Sequence, residues 1–396
     1  MIDAPELTPM IKLPDADGFL VAYEPRNVPS VYVPGGPALR SRTVFAAPHV
    51  IADPTAGNEP YTPPVLDWEA TLKYRHYMWS HGLAVAEAID SSHRGMGLGW
   101  VESAELIKRT AAEAHSVGGR IAAAAWTDQL APGEHTVDDI VGAFEEQIDL
   151  IESVGAQVIL MASRELAAVA RGPEEYAEVY SRLLSQVVQP VILHWITPEW
   201  DPSLTGYWGS TDVAEEIKTF LDLVARHQDK IDGIKVAPLP AQRELDLRRG
   251  VPQGIRAYTG DDTNYPQMIL GDELGHSDAL MGVLDPLGPV AAAAVRRLDE
   301  GDGKGFLEIL EPTVELSQHL FEGPGMNIRF YKTGFTFLSW LSGHQDHFRM
   351  VWGEQAARSV SHLAKAYRLA DTLGLFPDPE LAERRLTAFL ATNGVE

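Results

Sequence analysis

Eight short apolar runs, spaced so that a helix fits between most of them, constrain this fold more than any other feature of the chain. They cover residues 43–48, 84–89, 120–126, 157–161, 190–195, 233–236, 255–258 and 278–283. Several are continuously apolar rather than alternating, the pattern of parallel strands covered on both faces. The clearest helical stretches between them are 102–116, 136–154, 173–188, 211–226 and 289–300. The second of these opens on Thr136 as N-cap and carries apolar residues at three- and four-residue spacing. The crossover after the sixth run is short and polar, and a helix there is the least marked of the set. Eight strand–helix units in series predict an α/β fold, a (β/α)8 TIM barrel, with an open doubly wound sheet as its rival.

The barrel is expected over residues 42–302. Residues 1–41 are rich in Pro and Gly and carry two strand-like runs, 18–23 and 30–33, which predict a hairpin or wrapping arm. Beyond Gly301 the pattern is helical throughout, over 306–320, 328–341, 355–373 and 379–391, so 303–396 reads as a C-terminal helical extension.

Composition excludes several functions. The formal net charge of −24 over 396 residues disfavours nucleic acid and anionic membranes as partners. The absence of cysteine removes disulfides, thiolate nucleophiles and Cys-based zinc sites. The segment Met1-Ile2-Asp3-Ala4-Pro5-Glu6 has no basic region followed by an apolar run, so a cytoplasmic protein is expected.

In such barrels the chemistry sits at the C-terminal ends of the strands. Those ends supply His49, then His93 in Ser91-Ser92-His93-Arg94, then Trp126 and Asp128. After them come Ser163-Arg164-Glu165, His194 with Trp195, Lys235, and Asp261 with Asp262. His276 precedes the eighth run and belongs to its other end. Lys235 closes the apolar segment Ile231-Asp232-Gly233-Ile234-Lys235-Val236-Ala237. A lysine there snorkels, pairs with a carboxylate, or holds an amine whose pKa burial has lowered, and the last is a nucleophile toward carbonyl carbon. The other residues have plainer readings too: loop histidines, a core histidine at 194, and a turn cap at Asp261-Asp262. Gly95-Met96-Gly97-Leu98-Gly99 lacks the G-x-G-x-x-G spacing of a dinucleotide loop.

At this point the chain resembles the dihydrodipicolinate synthase and N-acetylneuraminate lyase family of class I aldolases, over roughly residues 42–345. Gly233-Ile234-Lys235 resembles the family's Schiff-base strand, and Thr259-Gly260-Asp261-Asp262 its glycine–aspartate segment. Pro190-Val191-Ile192-Leu193-His194-Trp195 occupies the place of the strand leading up to the Schiff-base lysine. Glu102-Ser103-Ala104-Glu105-Leu106 resembles the start of the helix after the family's Gly-Thr-Thr-Gly-Glu loop. Arg329-Phe330-Tyr331-Lys332 resembles a lysine-containing segment of its C-terminal helices. The family's proton-relaying tyrosine has no evident match, and His194 is the substitute. Gly99 and Trp100 stand where paired threonines grip a keto-acid carboxylate, and Gly275-His276-Ser277-Asp278 has an aspartate where a second glycine is usual.

The resemblance implies an imine-forming lyase, an aldolase or dehydratase, acting through Lys235 on a keto or aldehyde sugar or sugar-acid-like substrate other than pyruvate. His194 would shuttle the proton. His49, His93, Gly99, Trp100, Trp126, Asp128, Trp195, Asp261 and Asp262 would bind substrate. No cofactor or metal is required, the partner is a small carbonyl compound, and a homo-oligomer, dimer or tetramer, is implied. Two alternatives stand beside it. One is a metal-dependent sugar isomerase or epimerase using ligands among His49, Asp53, Glu87, Asp90, His93, His194 and His276, although no H-E-x-x-H spacing occurs. The other is a non-catalytic ligand-binding homologue.

Overall fold

A computed structural model describes residues 10–198, 200–237, 240–323 and 330–395. An antiparallel hairpin of β1 (Ile11–Pro14) and β2 (Leu20–Tyr23) precedes eight parallel strands. These are β3 (Val44–Ala46), β4 (Ala84–Glu87), β5 (Ile121–Ala125), β6 (Gln157–Leu160), β7 (Val191–Ile196), β8 (Ile231–Ala237), β9 (Arg256–Thr259) and β10 (Asp278–Met281). They close in sequential order, β10 pairing with β3. The protein is therefore a (β/α)8 barrel, with an N-terminal arm and C-terminal helices.

Each strand buries both faces for a different reason. Inward positions alternate with outward ones, and Phe45, Ala84, Ala86, Ala122, Ala124, Ile159, Ile192, Tyr258 and Leu280 fill the barrel interior. The alanines of β4 and β5 leave room there for the rings of Phe45 and Tyr258, which meet edge to face at 5.8 Å. Outward side chains such as Val158, Leu193, Ile234 and Val236 pack against the surrounding helices.

One irregularity decides what faces inward on β8. Val191 pairs with Ile231, but the next residue, Ile192, pairs with Gly233, so Asp232 is a bulge. Past it the strand changes face: Ile231, Ile234 and Val236 all pack outward, which leaves Gly233, Lys235 and Ala237 inward.

Three sequence expectations are corrected here. Residues 30–33 form no strand; the partner of Leu20–Tyr23 is Ile11–Pro14. The stretch 306–320 is two helices, Gly303–Leu310 and Val314–Phe321, because Pro312 cannot donate to a continuous ladder and a 3-10 turn intervenes. The helix expected to start at 328 is described from Tyr331 to Leu341; residues 328 and 329 lie outside the described residues.

The arm does not stand apart. The Tyr23 hydroxyl donates to Asp371 at 2.7 Å, and the Arg368 guanidinium donates to the Leu13 and Pro14 carbonyls. One apolar cluster runs from Leu13 through Val44, Val85 and Met281 to Phe335, Leu363 and Leu390, joining arm, barrel and C-terminal helices.

Candidate active site

At the C-terminal end of the strands lies a cavity of about 320 Å³. Lys235, His194, Asp262, Trp126 and Asp128 line it, together with Asp90, Arg94, Arg164, Glu165, Trp200, Phe321 and Tyr331.

Register places the central groups. His194 pairs with Lys235, and Lys235 with Tyr258, so all three share the inward face. Gly260 continues that face beyond β9, and its lack of a side chain matters. A Cβ there would lie 2.9 Å from the Val236 carbonyl oxygen and 3.3 Å from Lys235 Cε. Only glycine leaves the lysine its space.

Lys235 is 7% exposed. Burial lowers its amine pKa, and the nearby carboxylates of Asp90 and Asp262 partly oppose that. Burial, and then the lysine's charge, hold His194 well below the usual histidine value, so its ring is neutral. Neither ring nitrogen has a hydrogen-bond partner. Burial and the adjacent Asp261 charge push the Asp262 carboxyl well above the ordinary range, with Lys235 acting against them. The Asp262 backbone carbonyl accepts from Ser317 Oγ at 2.6 Å, which ties the site to the Val314–Phe321 helix.

From the opposite wall, Tyr331 donates its hydroxyl to Asp90 at 2.9 Å. Burial and the Asp90 charge raise the phenol far above its normal pKa. Phe321 stacks on Tyr331 at 4.6 Å and meets Trp200 edge-on at 6.0 Å.

The two guanidinium groups described at the rim are already committed. Arg94 donates to Asp128 at 2.6 and 3.0 Å, to Gln147 at 2.6 Å and to the Ala124 carbonyl at 2.7 Å. Arg164, with its side chain 53% exposed, pairs with Asp201 at 2.6 Å. Both guanidinium groups approach the Trp126 ring, at 6.0 and 5.8 Å from its centre.

Six expected substrate contacts do not line the cavity. Trp195 follows His194 and so faces outward into the helical layer. Asp261 follows Gly260 and likewise turns away, accepting from the Thr263 and Asn264 backbone amides as a turn cap. The His49 ring is consumed by Asp285 at 2.7 Å and Gln345 at 2.8 Å. His93 sits at φ 65° in the loop after β4, its ring wholly buried behind the cavity wall. Gly99 is the N-cap of the Trp100–Val117 helix, and the Trp100 indole donates to Glu146.

The alternative ligand set does not converge either. Glu87 forms a two-point pair with Arg75 at 3.0 and 3.1 Å. Asp53 caps an exposed turn at Thr55, and His276 lies with Arg248 and Arg256 in a groove around the lead-in to β9 and β10.

Sequence reasoning missed Tyr331 and Phe321 and saw Asp90 only as a metal ligand. The one signal was the Arg329-Phe330-Tyr331-Lys332 segment, read for its lysine. Arg329 lies outside the described residues, and Lys332 is buried without lining the cavity, 3.6 Å from Glu354 and 3.1 Å from Met96 Sδ.

Known structures with the same fold include dihydrodipicolinate synthase from Aquifex aeolicus. That match has 16% identity and a TM-score of 0.61, covering 84% of this chain and 99% of that one. A dihydrodipicolinate synthetase described as putative, from Pseudomonas aeruginosa, matches at 15% identity and TM-score 0.61, covering 83% and 99%. A prophage protein of the dihydrodipicolinic acid synthase family from Escherichia coli K12, solved in complex with pyruvate, matches at 14% identity and TM-score 0.61, covering 84% and 99%. At these identities the likeness establishes the fold, and that fold is the one the sequence resemblance implied. No curated protein matches in sequence. A family model described as "Protein of unknown function (DUF993)" matches residues 11–395, and the chain belongs to that family, on the dihydrodipicolinate synthase fold.

Proposed function

We propose that this protein is an imine-forming lyase whose nucleophile is Lys235 and whose substrate is an uncharged, hydroxyl-bearing ketone or aldehyde. The observation that carries the reading is the lysine itself: buried on the inward face of β8, with its pKa lowered, beside a neutral histidine.

The neutral amine would attack the carbonyl carbon, forming a C–N bond, and the carbonyl oxygen would leave as water. The protonated imine then accepts an electron pair in one of two ways. In the first, a base takes the proton of a β-hydroxyl and the bond between the α and β carbons breaks, releasing a carbonyl fragment and leaving an enamine. In the second, a base takes the proton of the α carbon, and the enamine so formed expels a protonated β-hydroxyl as water. Two groups would move the protons. His194 has a free ring nitrogen to accept. The Tyr331 hydroxyl, held by Asp90, supplies the phenol that the sequence lacked at its usual place.

The charge of the cavity supports an uncharged substrate. Asp90, Asp128, Glu165, Asp201 and Asp262 line it, while Arg94 and Arg164 each carry their own carboxylate partner. Among the described residues, a carboxylate on the substrate would find no uncommitted guanidinium lining the cavity, whereas hydroxyl groups would find acceptors in these acids and an apolar face on Trp126, Trp200 and Phe321.

Borohydride reduction in the presence of a panel of hydroxy-ketones, aldoses and keto acids, followed by intact-mass measurement, tests this. An adduct on the wild type that is absent from Lys235→Ala is expected, with the neutral carbonyls trapped in preference to the keto acids. A Lys235→Ala protein that retains full turnover would remove the reading.

A further inference from the structure

Outside the cavity, the C-terminal helices bring together three side chains that the imine chemistry does not use. His319 lies on the Val314–Phe321 helix, Glu322 caps that helix, and His362 lies on Val360–Thr372. One donor atom from each falls within 4.8 Å of the other two. A tetrahedral ion with bonds of about 2.0–2.1 Å spaces its donors roughly 3.4 Å apart, so small side-chain rotations would suffice.

The hydrogen bonding at His319 fixes its chemistry. Its Nε2 lies 2.9 Å from the His362 backbone carbonyl, which can only accept, so Nε2 carries the proton. In the neutral ring this leaves a lone pair on Nδ1, and that lone pair faces a Glu322 carboxylate oxygen at 2.9 Å. Two acceptors so placed repel unless a positive centre, a second ring proton or a metal ion, joins them. A histidine whose distal N–H is anchored on a backbone carbonyl is also the usual state of a metal-ligating imidazole. The His362 ring stacks on His319 at 4.1 Å, and its Nε2 is buried without a hydrogen-bond partner. Glu322, 64% exposed, leaves a path for an ion to enter.

We propose that His319, Glu322 and His362 form a zinc-type divalent-cation site that clasps the Val314–Phe321 helix to the Val360–Thr372 helix. Two imidazole nitrogens and one carboxylate are the donor set of borderline ions, with water in the fourth position. The clasped helix also carries Ser317, which holds the Asp262 carbonyl, and Phe321, which lines the cavity. The ion would be structural, bracing one wall of the pocket, and the inference stands whether or not Lys235 forms an imine.

The test uses the full chain, stripped with chelator and titrated with Zn²⁺ by calorimetry, with metal content measured independently. One equivalent per chain is expected, together with a rise in Tm. Replacement by Co²⁺ should give the visible absorption of a tetrahedral nitrogen–oxygen site. Glu322→Gln, at an exposed position, and His362→Ala should each weaken binding about tenfold or more and abolish that absorption. Absence of stoichiometric binding in the wild type overturns the proposal, and the contact is then an imidazolium–carboxylate pair. Binding that survives both substitutions also overturns it, because the chain has 13 histidines and the ion would then sit elsewhere.

Discussion

Two polar clusters lie in the same barrel and are built on opposite plans. At the ends of β3 and β4, the groups around Arg75, Glu87, His49 and Asp285 are paired several times over, although His93 and Ser91 in the loop after β4 have no partner. Arg75 meets Glu87 at two points and also donates to the Pro48, His49 and Thr71 carbonyls, while Thr110 completes the glutamate. Asp285 accepts from the His49 amide and from the Tyr74 hydroxyl, and its carboxylate bonds the His49 ring. Around β7, β8 and β9, partners are withheld: both His194 nitrogens, the Trp200 indole N–H and one Asp262 oxygen have none. A buried polar group without a partner costs free energy. The unpartnered groups around β7, β8 and β9 converge on the cavity, whereas the Arg75 network lies outside it.

The largest expected effect separates the two clusters outright. Lys235→Met should reduce the borohydride adduct and turnover to background while urea unfolding shows stability equal to or above wild type, since a desolvated amine has been removed. Loss of stability with retained adduct formation elsewhere would merge the two clusters.

Arg75→Met should do the reverse. It leaves Glu87 buried without its countercharge and should lower unfolding free energy by about 3–5 kcal/mol. Protein that remains folded should still form the Lys235 adduct.

Tyr331→Phe tests whether the Asp90 contact belongs to chemistry or to support. We expect kcat to fall about 10²-fold with little change in KM, the range of one general acid–base group. The lost hydrogen bond alone should cost only about 1 kcal/mol of stability. An unchanged kcat would assign this tyrosine to the first plan.

The smallest effect is a displacement on the pH axis. The Asp262 charge favours the protonated form of Lys235, so Asp262→Asn should lower the lysine pKa further. The acid limb of the adduct-formation profile should then move to lower pH. An unmoved limb would mean that Asp262 is already neutral across that range.

The contrast between the clusters also explains what could be read from the chain. The barrel strands were legible because packing both faces demands apolar runs such as Val191-Ile192-Leu193, and those runs carry Lys235 and His194 at their ends. Period-two alternation was legible in principle and would have excluded Trp195 and Asp261. A strand end taken as a whole segment, however, does not say which of two neighbours points inward. The helix Trp68–Ser80 escaped notice because its buried face includes Thr71, Tyr74 and Arg75, which write no apolar stripe. Tyr331 is legible only as a neighbour of Lys332 in the segment Arg329-Phe330-Tyr331-Lys332, and its place at the cavity is not. It meets Asp90 across 241 residues of sequence, through a docking of the C-terminal helices that no local pattern encodes. The Arg75 and His49 networks are equally silent, since a histidine satisfied by Asp285 and a catalytic one look the same in sequence.

The bulge at Asp232 makes the face of Lys235 a matter of counting. Val191 and Ile231 both pack outward, Ile192 packs inward opposite Gly233, and Asp232 is the one residue that the alternation skips. Drawn into the ladder opposite Ile192, Asp232 would shift every later residue of β8 to the other face. Lys235 would then turn outward into the helical layer, and Ile234 would point at the cavity. Deleting Asp232 would instead leave Lys235 opposite His194, because the pairing on either side of the bulge is already regular. What the cavity depends on is thus that one residue is left out of the ladder, whatever its identity.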